Sequence, residues 1–218
     1  LGTIRKIARK ILGRDKIKSI GMEYWEKAAS GSDAKAMNKI CDGFDEKDFE
    51  TKKDSLIFMK EFQISSQDEV LELACGMGRT CRWISPKAKQ YTGVDFIPQM
   101  IEKAKSYNSS FPNAKFVLND GKTLNMFHDD TFDVVYCELA FQHMTKDVQR
   151  SYINEVYRVL KKGGTFFAQL PKIEFYKDPI FALSKEEVDD LLGKYAINYV
   201  NNSVAYYTVI AKKQNSIN

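Results

Sequence analysis

Apolar residues along this chain change rhythm near residue 63. Before that point they recur at three- and four-residue intervals. Ile4, Ile7, Ala8, Ile11 and Leu12 share one helical face. Helical signal resumes from Tyr24 to about Phe62, broken by Gly31 and Gly43 and anchored by Tyr24-Trp25 and by Phe44 and Phe49. After residue 63, short apolar runs bounded by turn residues predict strands near 69–74, 91–95, 114–119, 132–138, 164–170, 195–200 and 204–211. The stretches between them predict helices near 78–85, 98–108, 145–160 and 184–193. Thr145 and Asp147 are placed to cap the third of these, and Ser184 with Glu187 forms a capping box for the fourth. Strands alternating with helices imply a mostly parallel sheet. The last two strands are joined only by Asn201-Asn202-Ser203, too short for a crossover, so that pair is antiparallel. Residues 1–62 thus read as a helical extension and 63–213 as the sheet domain.

Composition narrows the class. At 218 residues the chain can bury a full core. It has no apolar run long enough for a membrane-spanning helix. Net charge is +4, but residues 1–20 hold seven basic residues against one acid, Asp15, so this arm carries +6 and the remainder −2. The arm reads either as a helix docked on protein with its charges solvated, or as an interfacial helix on anionic lipid. Nucleic acid is the weaker partner, because the body has no basic surface or aromatic-basic stripe for stacking bases. Cys41, Cys75, Cys81 and Cys137 form neither a C-x-x-C pair nor a zinc spacing. They read as free thiols of a reducing, cytoplasmic setting, membrane-peripheral if the arm meets lipid, with no metal.

The most informative segment is Glu69-Val70-Leu71-Glu72-Leu73-Ala74-Cys75-Gly76-Met77-Gly78-Arg79-Thr80. It reads as a buried strand running into a glycine turn that opens a helix. Gly76 and Gly78 let backbone bend tightly and approach a ligand. Asp95 closes the next strand, where a carboxylate can accept a ribose diol. A dinucleotide site would want a third glycine where Cys81 stands, and Glu72 beside the loop would repel a pyrophosphate while suiting a cation. These residues and the terminal hairpin disfavour a nicotinamide-dependent oxidoreductase. Taken singly, Asp95 and Asp120 also read as helix caps or solvated strand ends, and Asp120-Gly121 as turn chemistry.

The segment resembles motif I of the class I S-adenosylmethionine-dependent methyltransferases, with Glu72 for the usual Asp and Ala74 for the first Gly. The resemblance continues in order through Gly93-Val94-Asp95-Phe96-Ile97-Pro98-Gln99-Met100-Ile101, Phe116–Gly121, Phe132–Glu138 and Tyr157–Phe166, and covers roughly residues 66–170. It implies a Rossmann-like α/β fold: a mostly parallel seven-stranded sheet with an antiparallel C-terminal hairpin, helices on both faces, and the helical N-terminal extension. It also implies S-adenosyl-L-methionine as cofactor, held by Glu72, Ala74, Gly76, Gly78, Asp95, Phe96, Met100, Asn119, Asp120, Gly121 and Cys137. Asp95 would hold the ribose, Phe96 and Met100 would pack near the adenine, and the third segment's acid would meet the adenine amine. His143, just past the fourth strand, is the expected general base. The blander reading makes it a helix cap or a backbone partner. Glu138 and Gln142 at the same mouth, and Tyr24 and Trp25 in the pre-sheet helices, are the expected acceptor contacts.

Cys137-Glu138-Leu139-Ala140 replaces the N/D-P-P-Y/W motif of methylases acting on adenine or glutamine amides, and little sequence is inserted after the fifth strand. The implied acceptor is a small molecule, a sugar or a lipid-linked group, methylated in line on O or N. The competing class is a cofactor-binding scaffold without catalysis that docks a protein or a membrane.

Overall fold

The computed structural model describes residues 23–33, 36, 64–178, 180–201 and 203–214. The basic arm, Phe44, Phe49 and Cys41 lie outside these. The chain divides into two units, Leu1–Glu50 and Thr51–Asn218. In the first, residues 23–29 are helical, and the Tyr24 and Trp25 rings meet edge to face at 5.2 Å.

The second unit holds β1 (Glu69–Leu73), β2 (Gln90–Asp95), β3 (Ala114–Leu118), β4 (Phe132–Cys137), β5 (Leu160–Pro171), β6 (Tyr195–Asn201) and β7 (Tyr206–Lys213). Its described helices are α1 (Cys81–Ile84), α2 (Pro98–Tyr107), α3 (Lys146–Val159), α4 (Ile173–Tyr176) and α5 (Lys185–Leu191), with a 3-10 turn at Phe141–His143. The strands form one sheet in the order β3-β2-β1-β4-β5-β7-β6. The first five are mutually parallel, and β7 runs antiparallel to both β5 and β6. All seven expected strands are present, each within a few residues of its expected ends.

Side-chain alternation assigns the two faces. Leu71, Leu73, Val94, Val135, Cys137, Phe166 and Ala168 point to one face, where Tyr152, Ile153 and Val156 of α3 join them in the core. Each large aliphatic chain buried there contributes about 1.5–3 kcal/mol. Glu72, Tyr91, Tyr136 and Phe116 point to the other. Phe116 meets the Tyr91 ring at a tilt, 5.7 Å between centroids, and lies beside the glycine loop and Asn108 at the end of α2.

The structure departs from the expected elements in four places. The first helix is only Cys81–Ile84, because Gly78 sits at φ 68° and cannot join a right-handed turn. β5 begins at Leu160, since the Lys161–Gly164 turn is a bulge inside the strand, where Phe132 pairs with Leu160 before the register shifts. Thr145 occupies the N-cap position of α3, but its side chain makes no capping bond, and its hydroxyl is buried with no partner among the described residues. Finally, the 3-10 turn and α4 stand where only loop was expected. The Ser184–Glu187 capping box forms in full.

Candidate functional site at the β1–β4 switch point

The sheet order reverses direction between β1 and β4, which opens a crevice at the C-terminal ends of these strands, the ordinary ligand position in open α/β sheets. Backbone strain gathers there. Ala74 (φ 58°) and Leu139 (φ 54°) both adopt the left-handed region just past the ends of β1 and β4. Each costs a non-glycine residue about 1–2 kcal/mol.

The loop after β1 is fixed by long-range bonds. Cys75 N–H donates to Val94 O at 2.9 Å, and Gly78 N–H to Cys75 O at 2.8 Å. Asn108 Nδ2 donates to Met77 O at 3.0 Å. A Cβ on Gly78 would fall 2.5 Å from the Phe116 ring and 2.8 Å from the Asn108 amide, so glycine is required by space as well as by φ.

Asp95 sits under this loop, 8% exposed. Its Oδ2 accepts from Gly76 N–H at 2.9 Å and its Oδ1 from Ile97 N–H at 3.0 Å. Burial raises its pKa, and the surrounding N–H donors oppose that shift. A carboxylate has about four acceptor sites, so these donors leave room for a ligand hydroxyl. Phe96, half-buried, lies against Gly121, where an added Cβ would be 3.4 Å away. Met100 is buried.

Asp120 spends its carboxylate on a turn, accepting from Lys122 N–H at 2.8 Å, Thr123 N–H at 2.6 Å and the Thr123 hydroxyl at 2.9 Å. The turn-chemistry reading therefore holds for this acid. Slight burial works against ionisation, yet these donors together hold its pKa below the usual value. The Asn119 amide is also engaged, with Thr123 O, Tyr152 and Gly121 N–H.

Several of the expected contacts also make bonds within the protein. The Oε2 of Glu72 receives the hydroxyls of Thr80, at 2.5 Å, of Tyr136, at 3.0 Å, and of Tyr91. No donor among the described residues reaches Oε1. Burial raises the pKa of this carboxyl against those three bonds. Glu72 thereby ties β1 to β2, β4 and the start of α1. The Cys137 side chain is fully buried in the core. Burial, then the nearby Glu72 and Glu138, push its thiol well above the usual range. Cys75 shifts the same way through burial, and burial takes Cys81 to about 12. None of the three is a thiolate nucleophile.

On the β4 side, Glu138 is bound to Arg79 at 3.0 Å, with side chains 5% and 6% exposed. Burial raises the Glu138 pKa and the Arg79 guanidinium counters it. Gln142 Nε2 donates to Leu139 O at 2.7 Å, and Leu139 N–H donates to Gln169 Oε1 at 3.2 Å. The expected acceptor contacts Glu138 and Gln142 thus act as struts around a strained residue. Gln149 of α3 donates to Phe141 O at 3.0 Å and Met144 O at 2.9 Å, which anchors the 3-10 turn. His143 ends that turn, half-buried, its N–H on Ala140 O at 2.9 Å. Tyr24 and Trp25 belong to the N-terminal unit.

Arg79, Asn108, Gln149, Tyr152 and Gln169 are the site residues that the sequence reading missed. Gln149 left a signal, a polar residue on the buried stripe of an amphipathic helix. Arg79 left another, a cation beside a glycine loop. Among the described residues, no three His, Cys, Asp or Glu side chains gather as a metal site, and no helix is long and apolar enough to cross a membrane.

Residues 70–164 match the family model described as a methyltransferase domain. Over 124 residues the chain is 33% identical to the uncharacterized methyltransferase YcgJ of Bacillus subtilis, covering 56% of this chain and 48% of that one. The crystal structure of YcgJ superimposes with a TM-score of 0.59 at 25% identity, over 66% of this chain and 69% of that chain. Phosphoethanolamine N-methyltransferase 3 of Arabidopsis thaliana is 26% identical over 151 residues, 69% of this chain and 30% of that protein. The N-methyltransferase NodS of Bradyrhizobium japonicum, solved with S-adenosyl-L-homocysteine, shares the fold at a TM-score of 0.68 and 14% identity, covering 89% of this chain and 99% of that one. The chain spans less than half the length of these two curated relatives.

Proposed function

Since residues 70–164 are a domain of the class I S-adenosylmethionine-dependent methyltransferase family, we propose that this protein transfers a methyl group from S-adenosylmethionine to a small acceptor at the β1–β4 crevice. One observation carries the reading. The close-approach loop at Gly76–Gly78, the Asp95 carboxylate beneath it and the Phe96–Gly121 contact follow one another along the ends of β1, β2 and β3.

These residues fit an adenosyl ligand. Asp95 would take the ribose hydroxyls, Gly76–Gly78 would admit the ligand close to the main chain, and Phe96 would pack against the base. When bound, the cofactor supplies an electrophilic methyl carbon on a sulfonium. The chain's own part is to hold an acceptor O or N in line and to exclude water, and much of the rate comes from that placement. His143, at the mouth of β4, is the proposed base that takes the acceptor's proton. His143→Ala should lower turnover by roughly 10²-fold while leaving affinity for S-adenosylhomocysteine unchanged. Equal turnover in the two proteins across pH would remove that role.

The small-acceptor reading draws support from the Arabidopsis relative, whose name gives phosphoethanolamine as its acceptor. A second reading, a cofactor-binding scaffold without catalysis, gains from the commitment of Glu138 and Gln142 to internal bonds. The deciding experiment is incubation with radiolabelled S-adenosylmethionine and fractionated small-molecule extract, beside calorimetry with S-adenosylhomocysteine. Binding with methyl incorporation supports the enzyme. Binding without incorporation into any fraction supports the scaffold, and no binding sinks both.

A further inference from the structure

Tyr152 lies on the core-facing side of α3, 3% exposed, among aliphatic side chains. Its hydroxyl accepts from Asn119 Nδ2 at 2.8 Å. Among the described residues, no acceptor takes the phenol's own hydrogen. The other bonds of Asn119 hold the turn and join it to β2. Its main-chain N–H donates to Asp95 O at 3.0 Å, Nδ2 also reaches Thr123 O at 3.2 Å, and Oδ1 accepts from Gly121 N–H at 3.3 Å.

The partners fix the amide's orientation. Gly121 N–H is a donor and needs the oxygen, while Thr123 O is an acceptor and needs the nitrogen. Asn119 is therefore the knot of the 119–123 turn, the turn that displays Asp120 and brings Gly121, at φ 76°, against Phe96. Asp95 O on β2 and the phenol on α3 are the partners of that knot from outside the turn, and Ser151 of the same helix adds a bond to Lys122 O at 2.9 Å. The phenol links the turn to a rigid 14-residue helix.

We infer that Tyr152 is a positioning residue for the adenosine-binding edge of the crevice, setting the 119–123 turn against Phe96 through Asn119. This rests on reading the crevice as an adenosyl site. Loss of the hydroxyl leaves the ring's packing intact but removes the bond by which α3 holds the Asn119 amide in place. It also removes a hydrogen that has no other assigned partner beside the ligand-binding edge. Burial raises the phenol's pKa, which keeps that hydrogen in place throughout the working pH range.

The test is calorimetric titration of the wild-type protein, Tyr152→Phe, Asn119→Ala and the double variant with S-adenosylhomocysteine and with 5′-methylthioadenosine, which carries only the adenosine half. Tyr195→Phe is the control. Its hydroxyl donates to Ile153 O of the same helix at 3.0 Å, so it too loses one buried hydrogen bond. Tyr152→Phe should weaken both ligands by the same factor, roughly three- to tenfold, the range expected for one neutral hydrogen bond. Tyr195→Phe should bind within about twofold of wild type for a comparable fall in melting temperature. The double variant should bind no worse than Asn119→Ala alone, because the two residues act as one unit. The inference is overturned by wild-type affinity in Tyr152→Phe, by an equal loss in Tyr195→Phe, or by additive losses in the double variant. If the wild-type protein binds neither compound, the cofactor reading falls first and this inference with it.

Discussion

On the β1–β2–β3 side of the crevice the main chain makes the surface, and on the β4–β5 side the side chains make it. The first side is a glycine loop and two strand ends whose amides are tied to one another and to Asp95, which keeps acceptor capacity in reserve. On the second side, Glu138 is bound to Arg79 of the glycine loop, while amide groups of Gln142, Gln149 and Gln169 hold Leu139 and the 3-10 turn. The difference teaches that a polar residue at a strand end is not a ligand contact by virtue of position. What decides is whether its hydrogen-bonding capacity survives folding.

The largest test of this contrast is to remove a strut. Arg79→Met would leave Glu138 buried without its cation, and such a loss costs about 3–5 kcal/mol. Urea unfolding should show that fall, and Arg79→Met/Glu138→Met should restore most of it, because the paired deletion leaves no uncompensated charge. A single variant as stable as wild type would mean that the pair is not what holds the glycine loop to β4.

Next is Asp95→Ala, which removes the reserve rather than a strut. Cofactor-product affinity should fall by about 1.5–3 kcal/mol, the range for hydrogen bonds to a charged group. Calorimetry with S-adenosylhomocysteine measures it, and unchanged affinity would place the ribose elsewhere.

The two sides were not equally legible in the sequence. Strand periodicity located β1 and β2, the glycine spacing located the loop, and Asp95 followed from its place at a strand end. Each is a local pattern with a local physical cause. The acceptor side depends on partners far apart in the chain, Arg79 with Glu138 across 59 positions and Leu139 with Gln169 across 30. No periodicity encodes such pairings, so Glu138 and Gln142 read as free. The bonds of Glu72 within the sheet were hidden for a related reason. Its neighbours Tyr91 and Tyr136 come from flanking strands, and only the sheet order places three hydroxyls on one carboxylate oxygen.

A smaller effect separates strain from contact. Ala74→Gly relieves the left-handed conformation, worth about 1–2 kcal/mol, and gives back about 0.5–1 kcal/mol in backbone entropy. A net gain of about 0.5–1 kcal/mol is expected, visible as a higher melting temperature. A loss would show that the Ala74 methyl group packs usefully.

The finest test reads a slope rather than a magnitude. Glu72→Gln keeps an amide oxygen for the three hydroxyls but removes the titrating proton. Folding raises the pKa of Glu72 above its ordinary 4.5, because burial outweighs the bonds from Thr80, Tyr91 and Tyr136. Below pH 4.5 the carboxyl is protonated in both the folded and unfolded chain, and its favourable contribution is fully present. As pH rises through the interval up to the raised value, the unfolded chain releases the proton while the folded one keeps it. Wild-type stability therefore falls over that interval and then levels off. The variant lacks this term, so its stability relative to wild type should climb with pH from about 4.5 and then become constant. Denaturant unfolding of both proteins between pH 4 and 8 would show it. Parallel profiles would mean that the hydroxyls hold Glu72 ionised after all, and that a buried charge stands directly beneath the cofactor loop.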